Sequence, residues 1–284
     1  LMPRGLPGRW LALPLLLPAL SWQPAEPEQG SFRLSLLDVG QGLAVVVRTA
    51  AHTLVFDAGP RFGADMDTGR SVVEPFLHAH SGTSIDTLVV SHGDNDHIGG
   101  AYYLLEHLPV TQFYTSVPER LSRHRPVACQ AGQGWHWDGV NFAMLSPWDD
   151  NGSENNRSCV LKVTSAHGSA LLTGDIEQET EARLLENYGV QLRSEVLIVP
   201  HHGSNTSSSA SFLNAVAPQL ALIPADYRNR FRFPHKDVLT RYQRLGINTE
   251  ITGISGTLTV SMDAEGMVLQ RYRDNASRYW NWRP

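Results

Sequence analysis

The segment Ser91-His92-Gly93-Asp94-Asn95-Asp96-His97 gathers candidate metal ligands within one short turn. These ligands are His92, Asp94, Asp96 and His97. The segment follows an apolar run at 85–90, which predicts a strand, and precedes a predicted helix at 99–108. In a turn, neighbouring side chains can point at two different centres, and imidazole and carboxylate groups bind divalent ions. Capping of a helix would explain one aspartate but not all four residues, so the segment predicts a metal site.

The flanking sequence consists of short apolar runs that alternate with helical patterns. Strands are predicted at 32–38, 43–48, 53–57, 85–90, 110–115, 160–165, 170–173, 195–200, 220–224, 249–252 and 256–261, with a hairpin around 135–142. Helices are predicted at 71–80, 99–108, 178–188, 210–216 and 236–245. A strand, a candidate site residue and a helix recur three times in this order. Sheets covered by helices commonly carry active-site groups at the carboxyl ends of their strands, which favours an α/β enzyme.

Further candidate ligands also follow predicted strands. Asp175 ends an apolar strand after Gly174, which lets the backbone pass close, although a turn aspartate would look the same. His201 and His202 end the next strand, and His235 precedes a helix. A lone histidine is more often a core or surface residue than a ligand, but two adjacent histidines at a strand end improve the prediction.

The composition excludes a protein that is held on nucleic acid by a global positive field. The 284 residues carry a formal net charge of −5, so any phosphate group must be bound locally. Basic residues cluster at Arg120, Arg123 and Arg125, and again at Arg228, Arg230, Arg232 and Lys236. Such clusters can also be solvated faces. The two cysteines, Cys129 and Cys159, either form a disulfide in an oxidising compartment or are small buried residues in a reducing one.

The first 30 residues differ in composition from the rest of the chain. Residues 10–20 are almost wholly apolar, follow Arg4 and Arg9, and are followed by a polar, proline-rich run. The apolar stretch is too short to span a bilayer comfortably. We expect residues 1–30 to be the end of a membrane segment plus a linker, and residues 31–284 to be one catalytic domain.

The order of these motifs resembles that of the metallo-β-lactamase superfamily. The similarity covers about residues 31–262 and includes Asp57 after a strand, the cluster at 92–97, Gly174-Asp175 and a later histidine. Two features depart from the usual pattern: Asp94 stands where histidine is usual, and Asn155-Asn156-Arg157-Ser158 stands where another histidine motif normally lies. These two departures resemble the carboxyl-terminal domain of ComEC-type DNA-internalisation proteins. Three further segments carry the same resemblance: Leu37-Asp38-Val39-Gly40-Gln41-Gly42-Leu43, Pro200-His201-His202-Gly203-Ser204 and the segment 229–235.

This resemblance implies an αββα sandwich, in which two mixed sheets are flanked by helices. It also implies a nuclease domain that degrades one strand of DNA during uptake, in a competence protein of the bacterial inner membrane. The domain would face the periplasm. Its expected partners are single- or double-stranded DNA and the membrane-channel domain of the same full-length protein, without a nucleotide cofactor.

The resemblance further implies a site for two divalent ions. The first ion is expected on His92, Asp94 and His201 or His202, with His202 preferred. The second is expected on Asp96, His97 and His235, with Asp175 bridging the two. Carboxylate-rich ligand sets favour Mn²⁺ or Mg²⁺, with Zn²⁺ as an alternative.

The remaining predicted roles concern catalysis and substrate binding. Asp96, Asp175 and Asp57 are the predicted catalytic carboxylates, and Asp57 is expected to orient the ligands. Asn155, Asn156 and Ser204 are candidates to bind phosphate oxygens, or are ordinary turn residues. Arg228, Arg230 and Arg232, interleaved with aromatic residues, could hold phosphates and stack on bases, or be solvated.

Two other functions fit parts of the sequence. The same fold and metals could hydrolyse another phosphoester, such as a choline-phosphate ester of the cell envelope. The missing histidines could instead indicate a degenerate domain that only binds DNA or a channel partner.

Overall fold

Two β-sheets face each other in the computed structural model, which describes residues 26–80, 82–148 and 152–275. The first sheet has the strand order β15-β14-β1-β2-β3-β4-β5-β6. Its strands are β1 (Phe32–Leu36), β2 (Val45–Arg48), β3 (Thr53–Phe56), β4 (Ile85–Val90), β5 (Val110–Thr115), β6 (Val127–Ala128), β14 (Leu258–Asp263) and β15 (Gly266–Arg271). The sheet is mixed, because β3 pairs with β4 in parallel and with β2 in antiparallel orientation.

The second sheet has the order β13-β12-β11-β10-β9-β8-β7. Its strands are β7 (Gly134–Trp137), β8 (Val140–Ser146), β9 (Val160–Ser165), β10 (Gly168–Leu172), β11 (Val196–Ile198), β12 (Leu220–Ile223) and β13 (Asn248–Ile251). Strands β10 to β13 are parallel, whereas β7 to β10 form antiparallel pairs. Both sheets are therefore mixed, as the resemblance implied.

Helices cover the outer face of each sheet. They are α1 (Glu74–His80), α2 (Asn95–Ile98), α3 (Ala101–His107), α4 (Gln178–Tyr188), α5 (Ala210–Val216), α6 (Lys236–Arg244), α7 (Thr252–Ser255) and α8 (Tyr272–Asn275). Three apolar clusters separate the layers. One lies between the sheets, one packs the first sheet against α1 to α3, and one packs the second sheet against α4 to α6. This layering confirms the predicted αββα sandwich.

The apolar runs explain why these strands form. Val45–Arg48 and Thr53–Phe56 are buried along their whole length, as expected where a sheet is covered on both faces. Strand β14 instead alternates buried and half-buried residues, which matches the period of two of a strand near a sheet edge.

The disulfide between Cys129 and Cys159 is present, with a separation of 30 residues. Of the two alternatives for these cysteines, the structure therefore contains the covalent bond. The predicted membrane segment and linker lie almost wholly outside the described residues, which begin at Glu26. Within the described part of the chain, no helix is both long and apolar enough to cross a bilayer.

Candidate metal centre

The parallel strands of the two sheets bring the predicted site residues to one edge of the sandwich. Asp57 and His92 follow the adjacent strands β3 and β4, and Asp175 and His202 follow the adjacent strands β10 and β11. Because parallel strands end at the same edge of a sheet, each sheet supplies its residues to a common centre. The positions of these four residues were predicted correctly relative to the strands.

Asp57 fixes the orientation of the two histidines of the 91–97 segment. Its side chain is fully buried, and Oδ2 accepts hydrogen bonds from His97 Nδ1 at 2.8 Å and from Ser91 Oγ at 2.6 Å. Since the Ser91 hydroxyl donates to Asp57, its oxygen is left to accept from His92 Nδ1 at 3.0 Å. In both rings Nδ1 donates, so Nε2 faces the centre. Asp57 is therefore placed to orient both rings, whereas its part in catalysis stays a prediction.

His202 is oriented in the same way by the second sheet. Its Nδ1 donates to the carbonyl oxygen of Pro224 at 2.8 Å, and its Nε2 lies 3.2 Å from His97 Nε2. Asp96 Oδ2 and Asp175 Oδ2 lie 3.3 and 3.4 Å from the same His202 atom. In His92, His97 and His202, Nδ1 thus donates to an oxygen of the protein and Nε2 faces the centre, which is the usual arrangement of metal-ligating histidine.

The carboxylates and rings shift the ionisation of one another. Burial raises the pKa of Asp96, but the hydrogen bond from His202 and the nearby rings lower it to about 2. Burial likewise opposes ionisation of Asp175, yet His202 and His97 hold its pKa well below the usual range. For His202, burial lowers the pKa, whereas Asp175 and its hydrogen bonds raise it to about 9. The carboxylates therefore attract a positive charge to this position, which a proton or a metal ion can supply.

In the part of the chain that the structure describes, two groups of three ligand atoms lie close enough together to hold an ion. They are His92, His97 and Asp175, and Asp96, His97 and His202, with all atoms within 4.8 Å of one another in each group. Among the described residues, His92 Nε2 is buried without a hydrogen-bond partner, and Asp175 Oδ1 is buried and accepts no hydrogen bond although it lies 3.1 Å from His97 Nε2. Buried polar atoms normally have partners, so these two atoms fit a site for divalent ions. The donor set of imidazole nitrogens and carboxylate oxygens has the matching chemistry.

Asp175 faces both groups, as expected for a bridging carboxylate. Its Oδ1 lies 3.1 Å from His97 Nε2 and its Oδ2 lies 3.4 Å from His202 Nε2. The division of the other ligands differs from the one implied by the resemblance, because His202 groups with Asp96 rather than with His92 and Asp94. The reason is geometric, because His202 Nε2 lies 3.3 Å from Asp96 Oδ2 and 3.2 Å from His97 Nε2.

The other predicted ligands lie outside these two groups. Asp94 is at the mouth of the site, with its side chain 54% exposed and its carboxylate 3.5 Å from His92 Nε2. His201 Nε2 is 3.7 Å from Asp175 Oδ2, while its Nδ1 faces Glu177 and Thr206. His235 caps α6, because its Nδ1 accepts the Asp237 amide at 3.3 Å. Their roles as ligands stay predictions.

The residues predicted to bind phosphate have partners of their own. The Asn156 side chain accepts the Glu177 amide and donates to Glu179, and thereby connects its loop to α4. The Asn155 carbonyl accepts the Ser158 amide, and the Ser204 hydroxyl contacts Thr206 at 3.0 Å. These contacts match the alternative interpretation as turn residues.

The second arginine cluster occupies a loop beside the metal centre. Arg228 and Arg230 line a cleft that also contains Asp96, whereas Arg232 lines a separate hollow on the same loop. The first cluster is not simply a solvated face. Arg120 donates to the Gly93 carbonyl and pairs with Glu154 at 2.8 Å, so it holds the backbone of the 91–97 segment.

Several residues that build the site were not predicted from the sequence. Ser91 links Asp57 to His92, and Ser158 Oγ accepts the Asp175 amide at 3.2 Å. Gly42 allows a close approach that was not predicted, because an added Cβ would lie 2.5 Å from the Asp96 carbonyl oxygen. The close passage predicted at Gly174 is present, since an added Cβ there would lie 2.9 Å from the Ser91 side chain. The position of Ser91 next to His92 was the available signal for its role.

Comparison with known proteins agrees with this geometry. The family model described as metallo-beta-lactamase superfamily matches residues 37–225. Competence protein ComA of Neisseria gonorrhoeae is 38% identical over an alignment that covers 100% of this chain and 40% of ComA. Recombination protein 2 of Haemophilus influenzae is 33% identical, with 88% of this chain and 31% of that protein covered. The chain thus spans less than half the length of these curated relatives.

A solved structure shows the same fold. The metallo-beta-lactamase fold protein YhfI of Bacillus subtilis superposes with a TM-score of 0.55 and 11% identity, covering 81% of this chain and 99% of YhfI. At this identity the similarity concerns the fold alone. The family match and the competence-protein relatives confirm the resemblance drawn from the motifs. The family model covers most of the described sandwich, including the segments from Asp57 to His202 that build the site. The chain therefore belongs to the metallo-β-lactamase superfamily.

Proposed function

We propose that this domain hydrolyses phosphodiester bonds of DNA with two divalent ions and that it degrades one strand of DNA during uptake. The observation that carries the proposal is the convergence of three histidine Nε2 atoms with the Asp96 and Asp175 carboxylates at one edge of the sandwich. Two divalent ions at such a site supply Lewis acidity that activates water near neutral pH and offsets phosphodiester charge. The competence-protein relatives support DNA as the substrate class.

The protein residues would divide the remaining work. Asp57 and the Pro224 carbonyl keep the rings in the tautomer that presents Nε2. Asp175 joins the two ligand groups, and Arg228 and Arg230 lie beside Asp96 where phosphate oxygens can be bound. The three carboxylates near the centre favour a hard ion such as Mn²⁺, with Mg²⁺ and Zn²⁺ as the alternatives to be compared.

The proposed activity is tested by incubating the purified domain with end-labelled DNA and Mn²⁺, Mg²⁺ or Zn²⁺. Asp96→Ala and Asp175→Ala are expected to lose cleavage, while Glu186→Ala, which removes an exposed carboxylate of α4, should cleave normally. Unchanged cleavage by both site variants would contradict the metal centre. Hydrolysis of a small phosphodiester such as a choline-phosphate ester, without cleavage of DNA, would contradict the DNA assignment. Binding of DNA without cleavage under any ion would favour a degenerate domain.

We also propose that the domain works on the periplasmic side of the bacterial inner membrane, attached to a membrane-channel domain of the full-length protein. Its disulfide supports an oxidising compartment, because disulfides persist there and are rare in the cytosol. Protease added to spheroplasts should digest the domain while a cytoplasmic marker stays intact. Protection of the domain until the cells are lysed would contradict this location.

A further inference from the structure

A cleft of about 500 Å³ opens beside Asp96 and is lined by two exposed aromatic rings. Phe62, on the loop after β3, is 62% exposed, and Phe231, on the loop after β12, is 49% exposed. Large apolar side chains at this exposure cost free energy in water unless a ligand covers them. Two such rings in one cleft next to a metal ligand therefore point to a ligand with apolar faces.

The loop that carries Phe62 is attached to the metal segment. Asn95 lies between Asp94 and Asp96, and its side-chain amide donates to the Arg61 carbonyl at 3.0 Å and accepts the Arg61 amide at 3.4 Å. The Arg61 guanidinium donates to the carbonyls of Gly63 and Ala64 and closes the loop on itself. Phe62 is thus held at a fixed place relative to Asp96.

The loop after β12 supplies positive charge next to its own ring. Arg228 and Arg230 are exposed and line the cleft, and the Arg230 guanidinium lies 4.7 Å from the centre of the Phe231 ring. Asp226 also lines the cleft, but its carboxylate accepts the Tyr227 amide at 2.7 Å. Guanidinium groups beside aromatic rings are the combination with which proteins bind phosphates and bases of single strands.

A third observation also indicates a ligand. Gln41 lines the same cleft, and within the described chain both polar atoms of its side chain are buried without a hydrogen-bond partner. Leaving a buried amide unpaired costs free energy. A ligand with donors and acceptors, such as a base edge or a phosphate with its water, would remove that cost.

We propose that an unpaired nucleotide of a single-stranded DNA substrate occupies this cleft, with its base against Phe62 and its phosphates at Arg228 and Arg230. This proposal rests on the proposed DNA hydrolysis and narrows it to a strand whose bases are free. In a duplex both faces of each base are already covered by neighbouring bases, so Phe62 could stack only on an unpaired or terminal base. Because every base has such a face, the cleft distinguishes single-stranded from double-stranded DNA and does not distinguish one base sequence from another.

The test compares Phe62→Ala with Met66→Ala in a binding experiment. Met66 lies on the same loop and is 63% exposed, but it does not line the cleft. The probe is a short, labelled single-stranded oligonucleotide, and its fluorescence anisotropy is measured with EDTA present so that it stays intact. Phe62→Ala should raise Kd about tenfold, while Met66→Ala and Phe62→Trp should leave it close to that of the unchanged protein.

Two further probes separate stacking from a general loss of structure. On an oligonucleotide of equal length with abasic sites, the unchanged protein and Phe62→Ala should bind equally, because no base is present to stack. On a closed-circular duplex, which has neither an unpaired nor a terminal base, the substitution should also have no effect. Equal Kd values on the intact single strand, or an equal loss on all three probes, would overturn the proposal. If the unchanged protein cleaves DNA with Mn²⁺ but Phe62→Ala binds the single strand normally, only this inference fails. If the unchanged protein neither binds nor cleaves DNA, the proposed function fails.

Discussion

At the scale of single residues, Asp57 illustrates how one buried carboxylate can orient the histidines of a candidate metal centre. It sits at a positive φ of 57° directly after β3, a conformation that aspartate and asparagine tolerate better than most residues. From there it orders His97 directly and His92 through Ser91. Groups that orient ligands in this way also raise their basicity.

We expect Asp57→Asn to weaken Mn²⁺ binding by roughly 10- to 100-fold, because the amide is a poorer acceptor for His97 Nδ1 and carries no charge. Isothermal titration calorimetry of the metal-free protein measures this change. Asp67→Asn is the control, since Asp67 is also buried but bonds the Arg70 amide away from the site. Equal metal affinity of both variants would show that Asp57 does not support the ligands.

Gln41 leads to a prediction with opposite signs for stability and activity. Gln41→Leu removes a buried amide that has no partner among the described residues, so the free energy of unfolding should rise by about 1 kcal/mol. If the amide binds the substrate, KM for single-stranded DNA should rise in the same variant. Urea denaturation and steady-state kinetics with Mn²⁺ measure the two effects. A fall in stability would mean that the amide already has a partner in solution.

The residue scale also shows which part of the site can be read from the sequence. His92, Asp96, His97, Asp175 and His202 stand out because they follow apolar strands, and because helix capping explains only one aspartate of the cluster at 92–97. Ser91, Phe62 and Gln41 carry no such pattern, since serine, phenylalanine and glutamine occur in ordinary loops. Their roles depend on contacts between loops that are distant in the chain.

At the scale of elements, Asp138 ties the turn of the β7–β8 hairpin to the turn between β2 and β3. Its carboxylate accepts Thr49 Oγ1 at 2.6 Å, the Ala51 amide at 2.8 Å and His52 Nδ1 at 3.0 Å. Burial raises the pKa of Asp138, but these hydrogen bonds lower it to about 2, compared with an ordinary value of 3.8. A connection between the two sheets thus depends on the charged form of one side chain.

We expect Asp138→Asn to lower the free energy of unfolding by about 1.5–3 kcal/mol at pH 7, the range for hydrogen bonds to a charged group. The folded pKa lies below the unfolded value, so the stabilisation is fully present above about pH 4 and is lost as the pH falls through about 2. The difference between the two proteins should therefore shrink between about pH 4 and pH 2 in urea titrations. A difference that stays constant or grows on acidification would contradict this origin.

The elements also show where prediction from the sequence succeeds and fails. The strands at 85–90 and 160–165 and the helix at 178–188 have the predicted bounds, because their apolar periodicity is strong. Strand β15 was not predicted, since this edge strand has no fully buried residue and hence little contrast between its faces. The helix expected at 71–80 begins with a wider turn at Gly69–Val73, which the periodicity does not reveal.

At the scale of the whole molecule, the metal centre lies between two sheets that are held together by a core and one covalent bond. The disulfide of Cys129 and Cys159 connects the segment after β6 in the first sheet to the start of β9 in the second. Next to it, the Cys159 amide donates to the Ser91 carbonyl at 2.9 Å, and Ser158 accepts the Asp175 amide. The bond therefore constrains the segments that present His92 and Asp175 from opposite sheets.

We expect the double variant Cys129→Ser, Cys159→Ser to lose roughly 2–4 kcal/mol of unfolding free energy, because the disulfide no longer restricts the unfolded chain. Its affinity for Mn²⁺ should also fall, since the two sheets then hold Ser91 and Ser158 only through noncovalent contacts. Reduction of the unchanged protein with a phosphine should reproduce both losses, whereas the same reagent should leave the double variant unaffected. If reduction lowers stability but leaves metal affinity intact, the core alone sets the distance between the two halves of the site.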